Sequence, residues 1–478
     1  MVDSPAPLTQ ELPGGLGAVK GLQLAGVSAG FRKNPERLDL ALIVAPPGSR
    51  AAGAFTQNTF AAAPVQLSRE HLAAQAQAAG EGSSEGEGFR ALIINSGNAN
   101  AATGAEGIAT ARQETVLVAE ALHCEPTQVL VASTGVIGVP LDVQQFVVGI
   151  PLALAHLSSG QGASVTTGRA AAEAIMTTDT VPKMAARSFA VQHADGSEAS
   201  YTIGGMAKGS GMIAPDMATM IAVLATDALL EQDALELALK EAVAVSFNKV
   251  TIDSDTSTND SAYLIGTGAA APPSATSALA SPVIPSVGST GLAQGKGSAA
   301  EVEESLRAQH ARPVGPAAIT VDDPAFATFA AVLTEVCQDL AYQIARDGEG
   351  ATRVIVVDVS GAASPEDASR VARAIADSPL VKTAIAGHDA NWGRIAMAAG
   401  KAGVAFAQEE VSISILGLEV LHKGRPREFS EAEALQRFEE RNEVLISVDL
   451  GTAGTASTRI WTCDLTHGYI SINGEYRT

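Results

Sequence analysis

The sequence GGMAKGSGMIAPDMATM at residues 204–220 is the most distinctive stretch of the chain, and the apolar run Met220–Ala225 follows it directly. Glycines suit tight turns, whereas a short apolar run beside them is typical of a buried strand. We therefore expect a glycine-rich loop that leads into a strand. Lys208 and the following glycines could cradle a phosphate. The spacing argues against a P-loop, because the lysine precedes the glycines and the expected strand replaces the required helix.

The dipeptide Ala218-Thr219 within this stretch permits self-cleavage. If the backbone at Ala218 is strained, the Thr219 hydroxyl can attack the Ala218 carbonyl and convert the amide into an ester, which water then opens. Thr219 would keep a free α-amine, and its pKa of about 7.7–8.0 in model peptides suits the general base that a threonine nucleophile needs. Taken alone, the dipeptide favours an ordinary strand threonine, because Ala-Thr pairs are common.

Helical and strand-like patterns alternate along the rest of the chain, which predicts a mixed α/β protein. Asp323-Pro324 and Ser364-Pro365 are typical helix starts, and Ser430 with Glu433 has the form of a capping box. The predicted strands are 91–95, 129–132, 220–225, 353–359, 443–450 and 456–463, and the predicted helices include 108–123, 231–245 and 323–346.

Two segments lack such patterns. Residues 80–88 are rich in Gly, Ser and Glu, and residues 270–316 are dominated by Ala, Ser, Pro and Gly. A stretch as long as the second is unusual within a compact domain. We interpret 270–316 as a disordered surface insertion or linker, with one short helix near 301–309.

The charge balance excludes several classes of partner. The 478 residues include 31 basic and 52 acidic ones, for a net charge of −21. This argues against nucleic acids and anionic membranes as partners.

The cysteines and the lack of targeting patterns bear on the cellular compartment. Cys124, Cys337 and Cys463 are far apart, so we expect no disulfide framework or zinc site. We expect a cytoplasmic protein, because no signal-peptide pattern or bilayer-spanning run is present.

Eight blocks of sequence together carry a strong resemblance. They are NSGNANAATG (95–104), ASTGVIG (132–138), MTTDT (176–180), KGSGMIAPDMATM (208–220), DSDTSTND (253–260), DGEGAT (347–352), DANWGR (389–394) and INGEYRT (472–478). In content and order they resemble the ornithine acetyltransferase (glutamate N-acetyltransferase) family of arginine biosynthesis. The resemblance runs from Gly21 to the last residue, and it departs mainly at 270–316. It implies a layered αββα sandwich of the kind shared with self-processing aminopeptidases.

The resemblance also implies a reaction. The chain would cut itself between Ala218 and Thr219 into an α chain, 1–218, and a β chain, 219–478. Thr219 would take the acetyl group of N2-acetylornithine as an ester and pass it to glutamate. No metal or organic cofactor is expected, although acetyl-CoA would be a second acetyl donor if the enzyme is bifunctional. The two fragments would associate, commonly as an α2β2 assembly.

Three residues match the family's oxyanion hole and a substrate contact. Thr134 and Gly135 would supply a hydroxyl and a backbone N–H to the developing oxyanion. Without the resemblance, Ser133-Thr-Gly135 would be a turn after a strand. Lys208 would bind a substrate α-carboxylate, and the alternative is a solvated surface lysine.

Two further positions match substrate contacts. Thr177 matches a binding position, although Thr178 is adjacent and the register is open by one residue. Glu349 suits the ornithine side-chain ammonium, and its alternative is an exposed carboxylate at a helix end.

The C-terminus completes the implied site. Asn473 and Thr478 match substrate-binding positions, and the Thr478 carboxylate would pair with a substrate ammonium. A strand-like segment at 469–472 is expected to hold this end in place. The remaining polar residues of the blocks are interpreted as supports of loops and folds: Asp253, Asp255, Asp260, Asp389, Asn391 and Trp392.

Two alternative functions remain at this point. A self-processing aminopeptidase would share the nucleophile and pass the acyl group to water. A non-enzymatic amino-acid sensor would leave Thr219 inert.

Overall fold

A computed structural model describes residues 9–80, 88–158, 162–214, 220–270 and 318–475. The predicted disordered insertion at 270–316, its short helix and most of the loop at 80–88 therefore lie outside the described residues.

Within those ranges, the larger sheet has nine strands in the order β1-β6-β7-β8-β9-β3-β4-β5, with β2 beside β3. They are β1 Thr9–Glu11, β2 Gln23–Val27, β3 Leu40–Phe55, β4 Phe89–Asn98, β5 Val129–Val136, β6 Lys183–Gln192, β7 Glu198–Lys208, β8 Ile221–Thr226 and β9 Ser261–Gly266. The long strand β3 joins two halves, because 40–44 pair with β2 and β4 whereas 50–55 pair with β9. The sheet thus folds over into two β layers.

Alternation along the strands separates the cores of this sandwich. On β4, Leu92 and Ile94 point between the β layers toward Val223 and Tyr263, whereas Ile93 points outward. The outer face of the β2–β5 layer is covered by the helices Ala63–Gly80, Gly104–Leu122 and Gln144–Ser158. The outer face of the β6–β9 layer is covered by Gln232–Ala244 and Pro324–Arg346. The predicted αββα sandwich is confirmed.

A smaller sheet follows in the chain and has its own core. Its order is β13-β12-β11-β14-β10-β15. The strands are β10 Val354–Ala362, β11 Ser412–Ile415, β12 Leu418–His422, β13 Arg425–Pro426, β14 Glu443–Asp449 and β15 Ala456–Cys463. The helices Pro365–Ala376, Pro379–Ala386, Trp392–Gly400 and Glu431–Glu440 pack on it. Val356 and Trp461 belong to the core of the larger unit, so one face of the smaller sheet packs against that unit while its other face forms its own core.

The predicted helix starts are confirmed. The Asp323 carboxylate accepts a hydrogen bond from the N–H of Ala325 at 2.8 Å. The Ser364 hydroxyl accepts one from the N–H of Asp367 at 3.1 Å, and Ser430 caps its helix in the same way. These side chains satisfy N–H groups that have no partner within the helix.

Two local predictions were wrong. Residues 204–208 belong to strand β7, where they pair with β6 and β8. The glycine at 204 serves close packing, since a Cβ there would lie 2.2 Å from the Gly15 carbonyl oxygen. The glycine-rich loop is thus confined to residues after Lys208. The segment 469–472 lies in the helix His467–Glu475 and is not a strand. Its Ile470 side chain is 68% exposed, so no sheet takes up its apolar residues.

Three further findings concern the described residues only. None of their helices is long and apolar enough to cross a membrane. They include no cluster of His, Cys, Asp or Glu that could hold a metal ion. Cys124, Cys337 and Cys463 are free thiols.

Candidate active site

One cavity of about 440 Å³ brings together most of the predicted site residues. Its walls include Thr134, Gly135, Thr177, Lys208, Glu349 and Asn473. The other three predicted residues, Ala218, Thr219 and Thr478, lie outside the described residues. The roles of all nine stay predictions, but the described six share one space although they are distant in sequence.

Thr134 and Gly135 lie near the end of β5 beside the parallel strand β4. Gly135 has a φ of 132°, and a Cβ there would lie 2.4 Å from the carbonyl carbon of Gly97. Glycine is therefore required for this close approach of the two strands. The side-chain amide of Asn259 donates to the Ser133 carbonyl at 2.9 Å, which fixes the strand from the other side. The backbone at Thr134 and Gly135 is thus fixed in place. Groups that stabilise an oxyanion have to be preorganised in this way.

Lys208 is the last residue of β7, paired with Ile221 of β8, and only 5% of it is exposed. Burial lowers the pKa of its ammonium, and the carboxylate of Asp179 opposes this effect. A buried ammonium attracts a carboxylate more strongly than a surface one, because less water screens the pair. The alternative of a solvated surface lysine does not apply, because Lys208 is buried.

The loop before β6 brings both Thr177 and Thr178 to the cavity. The Thr178 hydroxyl lies 2.7 Å from the Ser210 hydroxyl in the turn after Lys208. Both threonines line the same wall, so the choice between them as substrate contacts stays open.

Glu349 and Asn473 form another part of the cavity wall. The Asn473 side-chain amide donates to Glu349 Oε2 at 2.7 Å, and the Glu349 N–H donates to the Ser210 carbonyl at 2.8 Å. A Cβ at Gly211 would lie 2.3 Å from Glu349 Oε2, so the glycine leaves the space that this carboxylate occupies. Asn473 reaches Glu349 from the helix His467–Glu475.

The sequence did not predict that the loop 253–260 forms much of the cavity wall. Asp253 supports it by accepting hydrogen bonds from the N–H groups of Met212 at 2.6 Å and Ile213 at 2.8 Å. The Asp253 carboxylate also accepts a hydrogen bond from the Tyr469 hydroxyl at 3.1 Å. The available signal was the run of eight polar residues, DSDTSTND, directly before the buried strand β9.

Of the two described residues on either side of 215–219, one is bonded to this loop and the other to the first residue of β9, which follows the loop. The Thr256 hydroxyl donates to the Ala214 carbonyl at 2.9 Å. The Ser261 N–H donates to the Met220 carbonyl, also at 2.9 Å. The predicted cleavage site therefore falls between a residue bonded to the cavity wall and a residue bonded to the start of β9.

Comparisons with known proteins identify the family. The sequence model of the ArgJ family matches residues 23–478. The arginine biosynthesis bifunctional protein ArgJ of Gluconobacter oxydans is 39% identical over 99% of this chain and 95% of its own length. That of Symbiobacterium thermophilum is 41% identical over 98% of this chain and 99% of its own length. A crystal structure of the Bacillus halodurans ArgJ protein is 36% identical, with a TM-score of 0.41, and covers 52% of this chain and 96% of that one. The family match and the full-length relatives confirm the resemblance seen in the sequence, and the chain belongs to the ArgJ family.

Proposed function

We propose that this protein is an acetyltransferase of arginine biosynthesis that moves the acetyl group of N2-acetylornithine to glutamate. Membership of the ArgJ family and full-length relatives named for arginine biosynthesis support this proposal. The observation that carries it in the structure is the cavity itself, because Thr134, Lys208 and Glu349 line it and Ala214, the last described residue before the proposed cleavage site, is bonded to its wall.

The first half of the reaction would use a nucleophile that the chain makes itself. After cleavage between Ala218 and Thr219, the Thr219 hydroxyl oxygen attacks the acetyl carbonyl carbon, and the free Thr219 α-amine accepts the hydroxyl proton. The Thr134 hydroxyl and the Gly135 N–H stabilise the oxyanion of the tetrahedral intermediate. The carbon–nitrogen bond then breaks, the α-amine returns the proton to the leaving nitrogen, and ornithine departs from an acetyl-Thr219 ester.

The second half reverses these steps with another amine. The α-amine of glutamate attacks the ester carbonyl, and the same two donors stabilise the second oxyanion. The carbon–oxygen bond breaks, the Thr219 oxygen regains a proton, and N-acetylglutamate leaves. One site thus serves two similar amino acids in turn.

The substrate contacts follow from charge. Lys208 would bind the α-carboxylate that both amino acids carry, and its burial strengthens that attraction. Glu349, held by Asn473, would bind the ornithine side-chain ammonium. Thr177 and the Thr478 carboxylate complete the proposed set.

Several finer properties belong to the same proposal. The fragments 1–218 and 219–478 would stay associated, as an α2β2 assembly in the cytoplasm. Acetyl-CoA would be a second donor for glutamate, which fits the bifunctional name of the relatives.

Denaturing electrophoresis with N-terminal sequencing tests the nucleophile. We expect two fragments, one of which begins at Thr219, and an uncut, inactive chain for Thr219→Ala. A single intact wild-type chain, or cleavage that persists in the variant, would contradict the proposal.

An incubation assay tests the acetyl acceptor and the acetyl donor. N2-acetylornithine should yield N-acetylglutamate only when glutamate is added. A separate incubation with acetyl-CoA and glutamate tests the second donor. Release of free acetate in place of N-acetylglutamate would favour the aminopeptidase alternative.

A further inference from the structure

A buried chain of three charged side chains lies behind the cavity. Lys183 Nζ is 2.6 Å from Asp179 Oδ1 and 2.6 Å from Asp347 Oδ2. The side chains of Lys183 and Asp179 are completely buried, and that of Asp347 is 8% exposed. No role in the reaction has been assigned to any of the three.

The Asp179 carboxylate also holds two segments that form the cavity. Its Oδ2 accepts a hydrogen bond from the Thr177 N–H at 2.9 Å. Its Oδ1 accepts one from the Gly209 N–H at 2.7 Å. One side chain therefore fixes the loop that carries Thr177 and the turn that directly follows Lys208.

Asp347 extends the same network to the third proposed contact. It accepts a hydrogen bond from the Thr180 N–H at 3.0 Å, and it stands two residues before Glu349. Asp179 and Asp347, joined by Lys183, thus connect the segments of Thr177, Lys208 and Glu349.

Stability alone is a weak reason for such a group. Desolvation offsets most of the attraction within a buried ion pair, and apolar replacements of similar volume are often as stable. A role in fixing geometry and charge at the adjacent site accounts for the charged residues better.

We propose that Asp179 is a positioning residue for acetyl transfer, which aligns the Thr177 loop with Lys208 and keeps the Lys208 ammonium charged while no substrate carboxylate is bound. This inference rests on the proposed function, because it assumes that Lys208 binds a substrate carboxylate.

The charges that face Lys208 support this role. Burial lowers the pKa of Lys208, and Lys183 lowers it further. Asp179 is the strongest of the negative groups that raise it, ahead of Glu349 and Asp260. Burial would raise the pKa of the Asp179 carboxyl itself, but Lys183, Lys208 and the hydrogen bonds outweigh burial and hold that pKa far below its usual range. Asp179 is consequently ionised at every pH at which Lys208 could lose its proton.

The test is the pH dependence of kcat/KM for N2-acetylornithine in Asp179→Asn. In this donor the α-nitrogen is acetylated and does not titrate, and the side-chain ammonium titrates identically in every assay, so a difference between variants reports on the enzyme. The Thr219 α-amine should set the acid limb of the profile and Lys208 the alkaline limb. In Asp179→Asn the alkaline limb should move to lower pH, and kcat/KM at neutral pH should fall about ten- to a hundredfold, as for loss of a charged hydrogen-bond partner.

A second variant should move the same limb in the opposite direction. Lys183→Met removes a positive neighbour of Lys208, while Asp179 stays ionised at alkaline pH. The alkaline limb should therefore shift to higher pH. This variant also keeps the inference testable if Asp179→Asn does not fold, which its self-cleavage pattern would reveal.

Asp253→Asn is the matched control. Asp253 also holds N–H groups of the turn after Lys208, but it is not among the main charges that shift the Lys208 pKa. Its replacement should lower kcat/KM by loosening that turn, while the alkaline limb should stay close to its wild-type position. Equal profiles for Asp179→Asn and wild type, or equal shifts in Asp179→Asn and Asp253→Asn, would overturn the inference. Absence of acetyl transfer in the wild type would instead overturn the proposed function.

Discussion

Replacement of Gly211 by alanine should impair the donor reaction through one displaced carboxylate. The new Cβ would lie 2.3 Å from Glu349 Oε2 and 2.4 Å from its Cδ. Ordinary contact begins at 3.4 Å, so the Glu349 carboxylate has to move by about 1.1 Å. That shift breaks its 2.7 Å hydrogen bond from Asn473. A misplacement of about 1 Å in a binding group can cost about 100-fold in rate, which corresponds to about 2.7 kcal/mol.

The assay is a double-mutant cycle on kcat/KM for N2-acetylornithine. Gly211→Ala should cost about 100-fold in the wild type but very little in a Glu349→Ala background, because the displaced group is then gone. Gly474→Ala is the control, since a Cβ there meets no atom within 4 Å although the residue adjoins Asn473. An equal loss of kcat/KM from Gly211→Ala in both backgrounds would refute the reasoning, since the loss would then not be caused by displacement of Glu349.

Two further predictions concern the oxyanion site and the core. Thr134→Val should keep the side-chain volume and lower kcat about 10²- to 10³-fold with acetylornithine and with acetyl-CoA, in steady-state assays; a change confined to KM would contradict the oxyanion role. Phe329→Ala should lower the free energy of unfolding by about 3–5 kcal/mol in urea titrations at fixed protein concentration, because Phe329 is fully buried between its helix and Phe189 of β6. Phe60→Ala, at a residue 70% exposed, should change it by less than about 0.5 kcal/mol, and similar losses in both variants would refute this account of the core.

The sequence predicted those elements whose boundaries depend on neighbouring residues. Asp323 and Ser364 cap their helices through hydrogen bonds to residues two or three positions ahead, so the chemistry that starts each helix is present in the local sequence. The strand at 129–132 was predicted too, because its apolar residues are buried on both faces of a layer.

The errors arose where distant contacts override local pattern. Gly204 suggested a loop, but it lies within β7, where the absence of a side chain leaves room for the Gly15 carbonyl. Residues 469–472 suggested a strand, yet they form a helix with Thr466 bonded to the Gly350 carbonyl at its start. Such partners lie more than a hundred residues away in the sequence, and no local rule identifies them.

The sequence predicted the residues of the candidate site that would contact substrates, but it did not predict the residues that hold them in position. Lys208 and Glu349 were proposed because their chemistry suits charged substrates and their blocks match a family. Asp179 belongs to the block MTTDT, but local sequence does not indicate its role, since its partner Gly209 lies 30 residues further along the chain. The loop 253–260 was assigned to packing only, because nothing in its sequence shows which residues it faces.

The overall charge cannot explain how this protein would bind glutamate. The chain carries a net charge of −21, and among the described charged residues that line the cavity Lys208 is positive whereas Asp253, Asp255 and Glu349 are negative. Electrostatic forces between the protein and glutamate are also screened beyond about 10 Å at 0.1 M salt. Binding must therefore come from one ammonium at short range, where burial strengthens the attraction. The same burial lowers the pKa of Lys208 and so favours loss of its proton. Without a compensating charge, burial would therefore weaken carboxylate binding. An anionic Asp179 beside Lys208 resolves this conflict, because it keeps the lysine charged at a depth where a single ammonium suffices to hold a carboxylate.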